Sequence, residues 1–217
     1  MYFRVLCRGG FETRPYSGYV NGFVGTAYYA VPTQDGIGMK KTKNIILGVT
    51  AGIAIYKACD LLRRLQQEGF AVTVVMTPES QKLISPLVFE SLSGNQVFSG
   101  LFETQRNWDI AHVALAAKAD LVLIAPATAN IIGKIAGGIS DDLLTCVVCT
   151  ASAPVLLCPA MNEGMYLNKI TQGNIKKLKS LGYNFVEPRK GRLACGDVGL
   201  GCLAEIETIV KEAKRII

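Results

Sequence analysis

Short apolar runs alternate with amphipathic segments from residue 44 onwards. The run Asn44–Val49 is rich in β-branched and other apolar residues and predicts a buried strand. Leucines at helical spacing then predict a helix over about 53–68, which Gly69 closes. Further strands are predicted at 71–76, 121–125, 155–157 and 185–186, and a last helix at 204–217.

Nearly continuous apolar strands separated by helices are typical of a parallel sheet that is covered on both faces. The pattern therefore predicts a single doubly wound α/β domain, Rossmann-like and flavodoxin-like, with helices on both sides of the sheet. In such domains ligands bind at the carboxyl ends of the strands.

Residues 1–38 have no clear period and hold five of the eight tyrosines. The strand and helix pattern begins only after Met39. We therefore predict a functional domain over 39–217 and an atypical N-terminal extension over 1–38. The extension is interpreted as a flexible tail or a non-native addition, with a segment that packs on a partner as the alternative.

Composition narrows the functional classes. Half of the residues are hydrophobic and 18% are charged, as in a globular protein. The net charge of +6 is spread out, which suits anionic small molecules, and no basic-aromatic stripe indicates nucleic acid. Apolar runs are shorter than the about 18 residues of a membrane span. Seven irregularly spaced cysteines and one histidine favour free thiols in the cytoplasm and no metal site.

Small and hydroxyl residues follow three of the predicted strands. The turn Gly48–Ile53 could bring backbone N–H groups to an anion at a helix N-terminus, although a plain tight turn fits equally well. Thr77 and Ser80 follow the second strand, where helix capping is the alternative. No acidic residue stands there to hold an adenosine ribose, which favours a mononucleotide over NAD. The third segment is Ala125–Asn130.

Three further residues have side chains suited to catalysis. His112 could transfer a proton near neutral pH, but a lone histidine is often a satisfied core or surface residue. Asn162, beyond a strand end, could bind a carboxylate or simply form a turn. Cys195 lies in a glycine-rich loop that could place a thiol over a ligand, or bury it.

Taken together, these segments resemble one family, the homo-oligomeric flavin-containing cysteine decarboxylases. The motifs that carry the resemblance are the His112 segment and Gly48–Lys57, Ala119–Asn130, Pro159–Asn162 and Leu193–Asp197. The similarity runs from about Lys43 to the C-terminus. The asparagine motif combined with the cysteine loop is similar to the branch that acts on phosphopantothenoylcysteine. One departure is Tyr166, where the family usually has tryptophan.

The resemblance implies FMN as cofactor and specific roles for several residues. His112 would be the base, Asn162 would contact the substrate carboxylate, and Cys195 would donate a proton. Ala194 and Gly196 would join Asn162 and Cys195 in binding substrate. The residues implied to bind FMN are Ala51, Gly52, Ile53, Thr77, Ser80, Thr128, Ala129, Asn130 and Ala160.

The implied reaction is decarboxylation of 4'-phosphopantothenoylcysteine to 4'-phosphopantetheine in coenzyme A biosynthesis, through a thioaldehyde and an enethiol. The implied partners are this phosphorylated cysteinyl substrate, other copies of the chain in a trimer or a trimer-based dodecamer, and a separate phosphopantothenate–cysteine ligase. Two alternatives on the same fold remain open, a flavin prenyltransferase and a non-catalytic regulatory protein.

Overall fold

The computed structural model describes residues 42–101, 111–194 and 196–217, together with the strands at 11–20 and 23–32. The chain divides into two compact units, Met1–Lys41 and Thr42–Ile217. In the first unit, β1 (Phe11–Val20) pairs with β2 (Phe23–Pro32) in an antiparallel ladder. The sequence pattern did not predict this pair. The boundary after residue 38 and the nature of the extension stay predictions.

A parallel sheet is the centre of the second unit. Its described strands follow the order β4-β3-β5-β6-β7, in which the second strand of the unit flanks the first. This is the flavodoxin-like order, and it confirms the predicted fold class. The strands are β3 (Asn44–Val49), β4 (Ala71–Met76), β5 (Leu121–Ala127), β6 (Val155–Pro159) and β7 (Asn184–Phe185).

Helices cover both faces of this sheet because its strands are apolar on both faces. The first helix begins with a 3-10 turn at Ile53–Ile55. The helices are α1 (Tyr56–Gln67), α2 (Pro86–Ser93), α3 (Ala111–Lys118), α4 (Ala129–Gly137), α5 (Leu143–Thr150), α6 (Glu163–Leu167), α7 (Lys169–Ser180) and α8 (Ile206–Ile216). No helix in the described part of the chain is long and apolar enough to cross a membrane.

The core consists of one apolar layer on each side of the sheet. On one side α1, α2 and α8 contribute buried residues such as Leu61, Phe89 and Ile209. On the other side α4, α5 and α7 contribute residues such as Leu144 and Leu178. The sheet is therefore packed between two helical layers. The turns at the ends of its strands start from well-packed positions.

A second antiparallel pair follows the sheet, where the glycine-rich sequence had predicted a loop. Strand β8 (Arg189–Arg192) pairs with β9 (Val198–Cys202), and we call residues 189–202 the C-terminal hairpin. Its ladder shifts register between Arg189 and Lys190, so that Gly201 is an extra residue on β9. Such a bulge increases the local twist of the hairpin.

Candidate active site

Three turns meet at the carboxyl ends of β3, β5 and β6. A Cβ atom built on Gly52 would lie 3.5 Å from Thr128 Cγ2 and 3.8 Å from the carbonyl oxygen of Ala160. The turn after β3 therefore contacts the turns after β5 and β6. This convergence is what parallel strands of a doubly wound sheet provide.

Thr50 ties two of these turns together. Its buried hydroxyl donates a hydrogen bond to the carbonyl oxygen of Pro126 at 2.6 Å. The hydroxyl oxygen of Thr50 also accepts a hydrogen bond from the backbone N–H of Thr128 at 3.3 Å. Thr128 in turn caps α4, because its side chain accepts from Ile131 N at 3.4 Å. One buried hydroxyl thus fixes the spacing of two strand ends.

The turns form one wall of a cavity of about 580 Å³, within the usual range for a cofactor or ligand site. The C-terminal hairpin and the loop after β6 supply the rest of its lining. The lining residues are Ala51, Gly52, Ile53, Ala54, Tyr56, Lys57, Thr128, Ala160, Met161, Asn162, Met165, Arg189, Arg192, Leu193, Ala194, Gly201, Cys202 and Leu203.

The hairpin is docked on the loop after β6 by backbone contacts at Gly201. Met161 N donates to Gly201 O at 3.0 Å. Gly201 has φ +151, and a Cβ atom on it would lie 2.0 Å from Met161 O. Only glycine fits such a close approach of two backbones. Glu163 adds a second contact, because its Oε1 accepts from Leu200 N at 2.7 Å.

The cavity is lined by basic side chains from two elements. Arg189 and Arg192 come from β8, and Lys57 comes from α1. Arg189 Nε lies 2.8 Å from Glu205 Oε1, which partly offsets its charge. Among the described lining residues, none is Asp or Glu. The cavity therefore favours anionic ligands.

Asn162 begins α6 at the edge of this cavity. Its Oδ1 accepts a hydrogen bond from Gly164 N at 2.8 Å, so the turn role considered for this asparagine is real. Asn162 also lines the cavity. Capping is compatible with ligand binding, because the hydrogen bond to Gly164 N uses Oδ1 and holds the side chain in one orientation.

Tyr166 anchors the other end of α6. Its hydroxyl donates to Glu187 Oε2 at 2.5 Å, and its carbonyl oxygen accepts from Gln172 Nε2 at 2.6 Å. Burial and the Glu187 carboxylate raise the pKa of Tyr166 to about 12. The phenol is therefore a neutral donor that fixes α6 against the segment leading into the hairpin.

Several residues predicted from the sequence lie in this cavity and others do not. Ala51, Gly52, Ile53, Thr128, Ala160, Asn162 and Ala194 line it. Thr77 and Ser80 are buried and are not among the lining residues, and Ser80 Oγ donates a hydrogen bond to Thr77 O at 2.7 Å. Ala129 and Asn130 form the first turn of α4. The flavin contacts of these four residues stay predictions.

The two residues proposed to move protons differ in what the structure shows. His112 is half-buried on α3 and is not among the cavity-lining residues. Cys195 lies outside the described residues. Its neighbour Ala194 lines the cavity, and Gly196 is exposed with φ +97 at the turn of the hairpin.

Among the residues in or beside the site that had no predicted role, four have polar or charged side chains that the structure makes important: Thr50, Lys57, Arg189 and Arg192. Thr50 and Lys57 lie within the first motif, but side-chain type alone gave them no role. Arg192 directly precedes the Leu193–Asp197 motif, and this adjacency was the available signal.

A family model described as "Flavoprotein" matches residues 36–217, and the chain belongs to this family. The coenzyme A biosynthesis bifunctional protein CoaBC of Bacillus subtilis is 47% identical over 177 residues, which are 82% of this chain and 44% of that protein. A probable phosphopantothenoylcysteine decarboxylase of Streptococcus mutans is 43% identical over 80% of this chain and 98% of its own length. The chain thus spans less than half of the bifunctional relative.

Solved structures agree with this family. One is a PPC decarboxylase mutant complexed with pantothenoylaminoethenethiol, with a TM-score of 0.73, 30% identity and coverage of 81% of this chain and 98% of that chain. Another is the FMN-dependent cysteine decarboxylase SpaF, with a TM-score of 0.70, 29% identity and coverage of 80% and 98%. These findings confirm the family recognised from the sequence. They support the predicted carboxy-lyase class and FMN cofactor.

Proposed function

We propose that the chain is an FMN-dependent carboxy-lyase that converts 4'-phosphopantothenoylcysteine to 4'-phosphopantetheine in coenzyme A biosynthesis. One observation carries this proposal: the asparagine turn and the hairpin that bears Ala194 border the same cavity as the strand-end turns. A non-catalytic protein that only binds the flavin would need only the turns after β3, β5 and β6. The names of the relatives agree with this activity.

The turns after β3, β5 and β6 form the part of the cavity that we call the strand-end wall, and this wall fits a flavin mononucleotide. Its side chains are small at Ala51, Gly52 and Ala54, so a ligand can approach the backbone at the start of α1, where the helix dipole favours a phosphate. When bound, FMN supplies a reversible acceptor for a hydride from the carbon that bears sulfur. The residues proposed to hold it are those given by the family resemblance.

The chain's own side chains would bind the substrate and move its protons. Asn162, fixed by its cap to Gly164, would orient the carboxylate that leaves as CO2. His112 would accept the thiol proton as the thioaldehyde forms. Loss of CO2 then gives the enethiol, and Cys195 would supply the proton that completes reduction to the thiol product.

Proton transfer by His112 requires another copy of the chain. Since His112 does not line the cavity of its own subunit, we propose that it reaches the cavity of a neighbour in a trimer or a trimer-based dodecamer. Val113, beside His112, is 45% exposed, and Ile53 and Tyr56 at the cavity are 66% and 59% exposed. Apolar exposure at both positions supports contacts between copies.

Mixed oligomers test this assignment. His112→Asn and Cys195→Ser subunits, neither of which should make the normal product alone, would be co-expressed with different tags and purified through both. If each site takes the two residues from different subunits, about one site in three of a mixed trimer regains both groups and activity returns. No recovery, or an active monomer by light scattering, would contradict the shared site.

Mass spectrometry of the reaction mixture tests the chemistry. The His112→Asn enzyme should release no CO2, because the thiol proton has no acceptor. The Cys195→Ser enzyme should accumulate a decarboxylated product two hydrogens lighter than normal, because a hydroxyl is a far weaker acid than a thiol. Normal product at the normal rate from Cys195→Ser would remove Cys195 from the mechanism.

The remaining parts of this proposal concern a partner enzyme, the N-terminal extension and the cellular location. A phosphopantothenate–cysteine ligase is proposed as a separate functional partner, as the family resemblance implies; the name of the bifunctional relative is compatible with a second activity. The domain over 39–217 is proposed to work without residues 1–38, in the cytoplasm. Activity of a chain that begins at Met39, affinity capture of the ligase and microscopy of a tagged chain would test these points.

A further inference from the structure

The hairpin brings two arginines to one cavity although their spacing does not predict it. In a regular strand, residues three apart point to opposite faces. Arg189 and Arg192 both line the cavity. The ladder shifts register beside Arg189, with Gly201 as the extra residue on β9, and a bulge of this kind increases the local twist. One short strand thus supplies two positive charges to the cavity.

The two arginines differ in how far their charge is already satisfied. Arg189 pairs with Glu205. Arg192 is exposed and, within the described part of the chain, forms no ion pair with an acidic side chain. Arg192 therefore presents the less compensated guanidinium to a ligand in the cavity. A guanidinium binds phosphate oxygens through two parallel N–H groups, which a lysine cannot do.

Position on the hairpin indicates which phosphate this would be. The flavin phosphate is proposed to bind at the turn after β3, whereas Arg192 ends β8 on the hairpin wall that carries Ala194. Three residues separate Arg192 from Cys195, a stretch that spans roughly 10 Å when extended, so Arg192 can lie away from the reacting end. The proposed substrate carries a phosphate at the far end of a flexible chain from its thiol.

We propose that Arg192, assisted by Arg189, forms the subsite that recognises the phosphate of the substrate. This inference rests on the proposed function and deepens it. The phosphate subsite would lie at the end of β8, and binding energy from this remote, non-reacting group would raise kcat/KM for the phosphorylated substrate.

The test compares two substrates in the FMN-loaded full chain. Values of kcat/KM are measured for 4'-phosphopantothenoylcysteine and for the same molecule without phosphate. Arg192→Gln should reduce the preference for the phosphorylated substrate by about tenfold to a hundredfold, the usual loss for a charge-assisted hydrogen bond. Lys190→Gln is the matched control, since Lys190 is an exposed base on the same strand that does not line the cavity. It should keep the wild-type preference.

Other outcomes would overturn the subsite. An unchanged preference in Arg192→Gln would show that Arg192 does not read the phosphate. Loss of FMN absorbance from purified Arg192→Gln, with the preference kept, would assign the arginine to the flavin phosphate. A loss of preference in Lys190→Gln of the same size would show only a general electrostatic effect.

A binding measurement separates this inference from the proposed reaction. Isothermal titration with 4'-phosphopantothenate should show binding to the wild-type chain and at least about tenfold weaker binding to Arg192→Gln. If neither substrate is decarboxylated but this difference is found, the proposed function fails and the phosphate subsite stands. If both substrates react and the titrations are equal, the subsite fails alone.

Discussion

The two walls of the cavity are held in place in opposite ways. The strand-end wall grows out of buried strands, and Thr50, only 2% exposed, links its turns through hydrogen bonds. The C-terminal hairpin is partly exposed and is held by local contacts. These are the Gly201 backbone approach, the Glu163 acceptor and the Arg189 ion pair.

This difference assigns separate tasks to the two walls. A wall fixed by the core is suited to hold a cofactor in one geometry, because its groups are already oriented. A hairpin held by a few contacts opens at lower free-energy cost than the core unfolds. We therefore expect that changes in the hairpin alter turnover and substrate binding, whereas changes in the strand-end wall alter flavin binding and global stability.

Gly201→Ala should give the largest effect. The added Cβ would meet Met161 O at 2.0 Å, and the residue would keep a φ of +151. Backbone strain of this kind costs about 1–3 kcal/mol, and the clash adds to it, so we expect decarboxylation to fall by more than tenfold. Flavin absorbance should be largely retained. Gly182→Ala is the control, because Gly182 also has positive φ (+90) but has no atom within 4 Å of the built Cβ.

Thr50→Val should act on the opposite wall. It keeps the shape of the side chain but leaves Pro126 O and Thr128 N without their buried partner. The free energy of unfolding should fall by about 1–3 kcal/mol, and FMN should dissociate more readily. Denaturant titration measures the free energy of unfolding, and flavin absorbance after gel filtration measures how much FMN is retained. Thr50→Ser retains the hydroxyl and should restore most of the loss; failure to do so would point to packing instead.

Glu163→Ala should weaken the hairpin without the clash. It removes the acceptor of Leu200 N, at a cost of about 1 kcal/mol for a partly buried hydrogen bond. Amide hydrogen exchange in β9 should become faster, and KM should rise more than kcat falls. Glu163→Gln keeps an oxygen acceptor, so its amide exchange rates in β9 should lie between those of Glu163→Ala and wild type. Equal exchange rates in all three proteins would mean that this contact does not hold the hairpin.

Tyr166→Phe should give the smallest effect. Burial tends to raise the pKa of Glu187, but hydrogen bonds from Lys179 and Tyr166 outweigh it and the pKa lies below its usual value. Removing the phenol hydroxyl should raise that pKa, which carbon-detected NMR can follow. We expect the free energy of unfolding to fall by less than about 1 kcal/mol, since Glu187 is about half exposed.

The sign of the pH dependence follows from the lowered carboxyl pKa. The stabilisation by ionised Glu187 is full above the ordinary carboxyl pKa and is lost as pH falls through the lowered value. The difference in unfolding free energy between wild type and Tyr166→Phe should therefore be largest near neutral pH and shrink in acid. Tyr183→Phe serves as a control for the loss of a phenol elsewhere. A difference that grows in acid would contradict this account.

Hydrophobic periodicity predicted the elements that depend on local pattern. Strand β3 has the predicted bounds, and β5 extends only two residues further because Pro126 and Ala127 continue the apolar run. The hairpin was predicted as a loop, because glycines on β9 mask its alternation. The β1–β2 pair was also missed, although the sequence Asn21-Gly22 between its strands is a strong hairpin signal.

The family, the sheet and most of the strand-end wall could be predicted from the sequence, because they depend on apolar periodicity and on contiguous motifs. Which side chains share the cavity is known only from the folded chain. Arg189 and Arg192 both line it although they are three residues apart on β8, and His112 on α3 does not line it. Both facts depend on backbone twist and on packing between distant segments, which the order of residues along the chain does not reveal.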